Sequence, residues 1–182
     1  ACGICASDVK CLHGADSYWG NGNMKGWAQA PFIPGHEFVG RVVHVGKNVT
    51  EFQIGDRVTA DQIVPCGECR FCKTGRYWMC QPHQMYGYFT DFHGGMAEYV
   101  RLRLPNSRVH KVPQDMPLKS AVLIEPFACA KHCVDRAQIG SEDIVVLAGA
   151  GTLGLGMVSY AASRNPAKLI VLDMLDYRLE KA

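Results

Sequence analysis

The sequence predicts an α/β fold that follows a domain built from β-strands. Three observations support this prediction. Residues 31–60 alternate β-branched segments with glycines, residues 62–84 are rich in cysteine and charge, and a strand–helix–strand pattern begins near residue 140. The change of pattern indicates two domains, residues 1–138 and residues 139–182, each of them incomplete.

The elements follow from local patterns. Runs of β-branched and aromatic residues between glycine turns predict strands in the first domain, and Pro126 separates two apolar segments that predict helices. The second domain is predicted to be strand, helix and strand. The predicted strands are 38–45, 57–60, 96–102, 110–113, 143–148 and 168–173, and the predicted helices are 117–124, 127–137 and 152–163.

The composition excludes several classes of protein. Of the 182 residues, 48% are hydrophobic and 20% are charged, which is typical of a globular domain and not of a disordered or coiled-coil chain. The net charge of +2 gives no indication of nucleic acid or a membrane as a partner. Ile144 to Ser163 is uncharged and long enough to span a membrane, but its central glycines favour a buried strand, turn and helix.

Nine cysteines are the unusual feature of the composition. Their odd number and short spacings indicate metal binding in a reducing compartment rather than disulfides, so we expect a cytoplasmic protein. The chain begins with Ala1, has no signal-peptide pattern, and ends in what reads as a strand and the start of a helix. We therefore expect a fragment that is inactive by itself and prone to associate through open strand edges.

Four of the cysteines form one motif, Cys66-x2-Cys69-x2-Cys72-x7-Cys80. Two-residue gaps let a tight turn aim successive sulfurs at one point, and four thiolates fill the tetrahedral shell of a structural zinc ion. The metal would replace the hydrophobic core that residues 62–84 lack. An iron–sulfur cluster and a thioredoxin-like redox pair are the alternative interpretations of this spacing.

Cys5, His36, Glu37 and Glu125 are the candidates for a second metal site. Thiolate, imidazole and carboxylate are all zinc ligands, and a set of three leaves one position for water or substrate. Each residue also has a purely structural interpretation. Cys5 could be a small buried apolar residue, His36 a hydrogen-bonded core histidine, and Glu125 a carboxylate at a helix N-terminus.

A strand followed by Gly149-Ala150-Gly151-Thr152-Leu153-Gly154 and a helix predicts a dinucleotide-binding turn of the Rossmann type. The glycines allow the tight turn, the approach of pyrophosphate and close helix–strand packing, so Gly149, Gly151, Leu153 and Gly154 are candidate cofactor contacts. Asp173 ends the next predicted strand. Its carboxylate would accept hydrogen bonds from the ribose hydroxyls and repel a 2′-phosphate. It therefore favours NAD over NADP.

Three motifs in order resemble the zinc-dependent medium-chain alcohol and polyol dehydrogenases. They are Gly3-Ile4-Cys5-Ala6-Ser7-Asp8, Gly35-His36-Glu37-x2-Gly40-x5-Gly46, and the four-cysteine motif. The dipeptide Glu125-Pro126 resembles the corresponding segment of the sorbitol and threonine dehydrogenase branch. The local sequences around Cys66 and Cys80 most resemble those of erythritol/threitol dehydrogenases. The resemblance implies a GroES-like β-barrel catalytic domain with a structural-zinc lobe, followed by the start of a doubly wound Rossmann sheet.

The resemblance also implies roles for individual residues. Cys5, His36 and Glu37 would bind the catalytic zinc, and Glu125 would bind it directly or through one water. Ser7 would be the hydroxyl that relays the substrate proton, and Arg178 would lie near the adenosine ribose. Two zinc ions and one NAD per subunit are expected.

The expected activity is the oxidation of a secondary alcohol of a polyol to a ketone by hydride transfer to NAD. A threonine 3-dehydrogenase type of amino-alcohol dehydrogenase is the second candidate. A non-catalytic zinc-binding module is the alternative from a different class, and it predicts one zinc ion per chain. The partners expected are a small polyol and further copies of the chain in a homo-oligomer, with neither nucleic acid nor a membrane.

Overall fold

The structure, a computed structural model, describes residues 1–103 and 108–182. The chain divides into two compact units, Ala1–Glu125 and Pro126–Ala182. The boundary predicted at residues 138 and 139 lies one helix further along the chain. The described elements are α1 (Ala6–Leu12), α2 (Asp16–Trp19), β1 (Gly20–Asn21), β2 (Met24–Lys25), β3 (Val39–Arg41), β4 (Arg57–Ala60), β5 (Ile63–Val64), α3 (Arg70–Lys73), a 3₁₀ turn (Tyr77–Met79), β6 (Gln84–Met85), β7 (Val109–Lys111), α4 (Leu118–Ala121), α5 (Ile124–Ala137), β8 (Ile144–Ala148), α6 (Thr152–Ala162), β9 (Lys168–Leu172) and α7 (Asp176–Leu179).

The first unit is built from short antiparallel ladders. Strand β4 lies between β3 and β7, a short hairpin pairs β1 with β2, and β5 pairs with β6 across the base of the cysteine lobe. The core beneath these strands is rich in aromatic rings, with the Tyr86 ring edge-on to Phe38 and Phe92 at centroid distances of 5.8 and 5.9 Å. Tyr88 is buried in the same cluster. This core fixes the segments that carry the candidate metal ligands.

The second unit is a β-α-β unit. Strands β8 and β9 pair in parallel from Ile144 with Lys168 to Ala148 with Leu172, and α6 connects them. Helix α6 packs on α5 so closely that a Cβ on Gly156 would lie 2.8 Å from the Cβ of Ala130. The predicted order, a β domain with a cysteine lobe and then a parallel β-α-β unit, is confirmed.

Two of the element predictions are wrong. The strand predicted over 96–102 is absent from the described residues, where this segment is irregular. Gly94, Gly95 and Met96 instead donate backbone hydrogen bonds to the segment 33–35, and a Cβ on Gly94 would lie 2.1 Å from a carbonyl oxygen there. Close backbone approach, rather than strand pairing, determines its course.

Pro126 does not separate two helices. It is the third residue of α5, a position in the first helical turn where a missing N–H breaks no internal hydrogen bond. The helix predicted over 117–124 is reduced to α4 (Leu118–Ala121), and the strand predicted over 38–45 pairs only over β3 (Val39–Arg41). Within the described ranges, no helix combines the length and the apolarity that a membrane crossing requires.

Candidate metal centres and dinucleotide turn

The four-cysteine motif folds into a single cluster. The sulfurs of Cys66, Cys69, Cys72 and Cys80 all lie within 4.8 Å of one another, and the distances to Cys72 Sγ are 3.9 Å from Cys66 and 3.6 Å from Cys69. A tetrahedral zinc ion with Zn–S bonds of about 2.3 Å places its sulfurs roughly 3.8 Å apart. The cluster therefore has the dimensions of a site for one metal ion, and no disulfide joins any of the nine cysteines, all of which are described.

Backbone amides point at the sulfurs of this lobe. The amide of Cys69 donates to Cys66 Sγ and the amide of Cys66 donates to Cys80 Sγ, both at 3.3 Å. Amide donors, first that of Cys72, lower the pKa of Cys69 to about 6, whereas burial raises the pKa of Cys72 to about 12. The Cys69 sulfur is thus favoured as the thiolate that a metal requires.

The lobe is attached to the central sheet by a polar contact. Tyr77, in the 3₁₀ turn, donates its hydroxyl to Asp61 Oδ2 at 2.7 Å, and the guanidinium of Arg108 lies 3.8 Å from the centre of its ring. Asp61 directly follows β4, so this contact links the lobe to the strand at the centre of the sheet.

Three donors from two distant segments meet in the first unit. Ligand atoms of Cys5, His36 and Glu37 lie within 4.8 Å of one another, and we call this group the three-donor cluster. Cys5 precedes α1, where its amide donates to Asp8 Oδ2 at 2.9 Å and fixes the start of the helix. The donor set is one that zinc prefers, and three protein ligands leave one coordination position open.

Glycines make room for the cluster. Gly35 has a φ of +96°, and a Cβ there would lie 2.6 Å from Cys2 Sγ and 2.8 Å from Met96 Cγ. A Cβ on Gly3 would lie 2.4 Å from Glu37 Oε2. Gly3 and Gly35, one from each motif, are therefore steric requirements of the packing at and beside the cluster.

Asp8 orients the imidazole of the cluster. His36 is 3% exposed, and its Nδ1 lies 3.6 Å from Asp8 Oδ1. Burial alone would lower the pKa of His36, but the nearby side chains of Asp8 and Cys5 and the charge of Glu125 raise it to about 10. With Nδ1 facing a carboxylate, Nε2 is the nitrogen suited to a metal, as in carboxylate–histidine–zinc arrangements.

Glu125 lies at the edge of this arrangement. It occupies the first turn of α5 and is half-buried, and its negative charge contributes to the raised pKa of His36. It does not belong to the group of donors that lie within 4.8 Å of one another in the described chain. The structure thus brings together Cys5, His36 and Glu37, and it leaves Glu125 near them as a separate carboxylate.

Ser7 contacts the cluster from α1. The nearby side chains of His36 and Ser7 and the Ser7 amide lower the pKa of Cys5, although burial opposes them. Ser7 Oγ also lies 2.8 Å from the hydroxyl of Tyr88, a contact between residues 81 positions apart that sequence reasoning missed. A buried aromatic residue in a long irregular segment carried no signal that could have identified it.

The dinucleotide turn has the expected backbone. Gly149 has a φ of +100°, and a Cβ on Gly154 would lie 1.9 Å from the Gly149 carbonyl oxygen. Around Gly151, by contrast, no atom lies within 4 Å of an added Cβ. This open cradle beside the start of α6 fits a pyrophosphate group, and Leu153 is exposed in the first turn of that helix.

Asp173 lies at the end of β9 beside this turn. Its Oδ2 accepts a hydrogen bond from the backbone amide of Ala150 at 2.7 Å, and its Oδ1 accepts one from the backbone amide of Leu175 at 3.0 Å. Arg178 Nη1 lies 3.6 Å from Oδ2. The amide donors, first that of Ala150, lower the pKa of Asp173, so the group is a carboxylate at neutral pH. The structure thus brings Asp173, and through it Arg178, beside the glycine turn that leads into α6.

Comparison with known proteins settles the family. Residues 1–114 match the model of the alcohol dehydrogenase GroES-like domain. The chain belongs to this dehydrogenase family. A curated relative in it, the erythritol/L-threitol dehydrogenase of Mycolicibacterium smegmatis, is 49% identical over 185 residues, which cover 100% of this chain and 51% of the relative. The chain spans about half the length of the curated relatives it matches.

Solved structures of the dehydrogenase family share the fold. A zinc-binding dehydrogenase from Sinorhizobium meliloti 1021, bound to NADP, superposes with a TM-score of 0.85 at 30% identity, covering 98% of this chain and 48% of that one. An alcohol dehydrogenase from Escherichia coli CFT073, complexed with NADH, gives 0.83 at 33% identity, with coverages of 98% and 49%. The predicted fold, a GroES-like domain and the start of a Rossmann sheet, is confirmed.

Proposed function

We propose that the protein oxidises a secondary alcohol of a small polyol, of the erythritol and threitol class, to a ketone with NAD. The convergence of Cys5, His36 and Glu37 on one point is the observation that supports this proposal. The identity of 49% to an erythritol/L-threitol dehydrogenase supports the substrate class. A zinc ion at this cluster would act as a Lewis acid on the substrate hydroxyl, and NAD would accept the hydride.

The residues of the chain have distinct proposed roles. Cys5, His36 and Glu37 hold the catalytic metal, and Asp8 keeps the imidazole of His36 in the ligating tautomer. Ser7 Oγ relays the proton of the substrate hydroxyl, and Glu125, which lies outside the three-donor cluster, interacts with the metal through one water. The proposed structural zinc ligands are Cys66, Cys69, Cys72 and Cys80, and the proposed NAD contacts are Gly149, Gly151, Leu153, Gly154, Asp173 and Arg178.

Zinc analysis and a substrate panel on the full-length protein test the proposal. We expect two zinc ions per chain and reduction of NAD with erythritol or threitol at rates well above those with L-threonine or ethanol. Activity confined to L-threonine would replace the polyol assignment by the amino-alcohol one. One zinc ion per chain and no NADH formation would identify a non-catalytic zinc module instead.

Replacing Asp173 by Asn is expected to weaken the preference for NAD. Relatives that bind NADP and NADH share this fold, so the preference must depend on local groups. A carboxylate beside a 2′-phosphate costs several kcal/mol, and its removal should lower the ratio of kcat/KM for NAD over NADP by at least about tenfold. Asp176→Asn, which removes an exposed carboxylate three residues further on, is the control. An unchanged ratio in D173N would argue against this role.

The assembly and the compartment are also proposals. We infer a homo-oligomer in the cytoplasm; four clustered thiols with no disulfide among them support the reducing compartment. Light scattering on the full-length protein would measure the subunit number, and a monomer would contradict the first part. The domain boundary at residues 138 and 139 is a proposal for the full-length protein as well.

A further inference from the structure

We infer that Tyr18 is a specificity-determining residue: its phenol binds the substrate hydroxyl on the carbon next to the one that is oxidised. The inference rests on the proposed function and deepens it, because it concerns the same substrate. Tyr18 belongs to none of the motifs and to neither metal centre. It lies in the segment 16–27, which contains α2, β1 and β2 and which we call the aromatic hairpin.

The aromatic hairpin has a fixed shape. Gly20 has a φ of +80°, and a Cβ there would collide with the backbone nitrogen of Gly26. A Cβ on Gly26 would in turn collide with the carbonyl group of Trp19. The side chain of Asn21 donates to Asp16 Oδ2 at 2.6 Å. The two glycines therefore let the two halves of the hairpin approach closely, and this fixes the backbone that precedes Gly20.

The hairpin is attached to the helix that carries Ser7. The indole N–H of Trp19 donates to the carbonyl oxygen of Cys11, in α1, at 2.7 Å. The Trp19 ring also stacks on Phe32 at a centroid distance of 5.9 Å and an interplanar angle of 15°. Because Tyr18 directly precedes Trp19, these contacts fix the point from which its side chain extends.

The ring of Tyr18 lies one ring away from the three-donor cluster. It stacks on Tyr88 at a centroid distance of 5.7 Å, and Trp27 supports it from the hairpin at 5.2 Å. The Tyr88 ring lies 5.5 Å from that of His36, and its hydroxyl contacts Ser7 Oγ at 2.8 Å. Tyr18 is half-buried, so part of its side chain is accessible to a bound molecule.

The phenol of Tyr18 suits a hydroxyl group as its partner. Burial raises the pKa of Tyr18, although the nearby Ser7 side chain opposes this, so the phenol is neutral at neutral pH. A neutral phenol can donate one hydrogen bond and accept another, as a hydroxyl group can. It offers no negative charge to the ammonium group that L-threonine carries next to its hydroxyl.

The arrangement assigns the two hydroxyls of a vicinal diol to two neighbouring groups. Ser7 takes the hydroxyl that loses its proton. Tyr18, which shares the contact with Tyr88, takes the hydroxyl on the adjacent carbon. A site that hydrogen-bonds a substrate hydroxyl rejects an analogue that lacks it, because the polar group of the site is then left unpaired. Tyr18 therefore selects vicinal diols over simple alcohols and over amino alcohols.

The experiment compares Tyr18→Phe with Tyr99→Phe in the full-length, zinc-loaded protein. Y18F removes only the hydroxyl and keeps the stacked ring, and Tyr99, which is 73% exposed in the same unit, provides the control. Kinetics with propylene glycol and isopropanol measure the preference, since both are secondary alcohols and only the first has a hydroxyl on the adjacent carbon. Calorimetry with threitol in the presence of NADH measures binding without turnover.

We expect Y18F to lower the ratio of kcat/KM for propylene glycol over isopropanol about tenfold, which is the scale of one lost hydrogen bond. The value for isopropanol itself should not change. The Kd for threitol should rise by a similar factor, and Y99F should match the parent protein in both measurements.

An unchanged ratio in Y18F, an equal loss with both alcohols, or the same shift in Y99F would overturn the inference. Should Y18F fail to fold, Tyr18→His, which keeps a ring but shortens its reach, replaces it with the same expected loss. If isopropanol is not oxidised, the Kd for threitol decides alone. A protein that binds threitol but forms no NADH would reject the proposed function, and weaker binding by Y18F would then still support the role of Tyr18.

Discussion

A Cys69→Ser variant of the full-length protein is expected to lose one of its two zinc ions and the fold of residues 62–84. The lobe has no substitute for the metal: its helix α3 has four residues, and isolated helices this short are unstable in water. Structural zinc contributes about 10–16 kcal/mol of apparent binding free energy in small zinc domains, and that energy is also folding energy.

Limited proteolysis and zinc content measure this effect. We expect cleavage within residues 62–84 and a ratio near one zinc per chain, with the three-donor cluster still loaded. Cys133→Ser, which changes an exposed cysteine on α5, is the matched control and should keep both ions. Two zinc ions and parental protease resistance in C69S would show that the four sulfurs do not share a metal.

Glu37→Ala and Glu125→Ala are expected to differ in metal content and in kcat. Glu37 belongs to the three-donor cluster, so we expect the Glu37→Ala variant to lose the catalytic metal. Without the metal it should show no turnover. Glu125 lies outside the cluster but acts electrostatically on His36, so its removal should leave the metal in place and lower kcat by about 10–100-fold. Metal analysis beside kinetics separates the two outcomes.

Glu51→Ala, at an exposed position of the same unit, should change neither quantity. Metal loss in E125A would make Glu125 a direct ligand after all. Thermal unfolding of the zinc-loaded protein should change little in E125A, since a half-buried carboxylate at a helix start contributes modestly to stability.

The features predicted best from the sequence are those that depend on local spacing. The cysteine motif and the glycine turn each fit within one short segment, so residue spacing alone determines where the sulfurs and amides point. The strand predicted at 96–102 failed because Gly94 and Gly95 let the backbone approach the segment 33–35, a long-range contact with no local signature.

The candidate site was only partly accessible to sequence reasoning. The meeting of Cys5 with His36 depends on tertiary packing, and the motifs indicated it only through their resemblance to a family. The Tyr88–Ser7 contact spans 81 positions and lies in an irregular segment. Periodicity describes neither partner, which is why this contact is visible only in the structure.

The glycine turn also limits which of its positions can be substituted. Gly149 and Gly154 tolerate no side chain, because of a left-handed backbone at one and a carbonyl oxygen 1.9 Å from the added carbon at the other. Thr152 and Leu153 between them are exposed. A changed side chain at Thr152 or Leu153 can therefore leave the turn intact, whereas a side chain at Gly149 or Gly154 would force the backbone that forms it to shift.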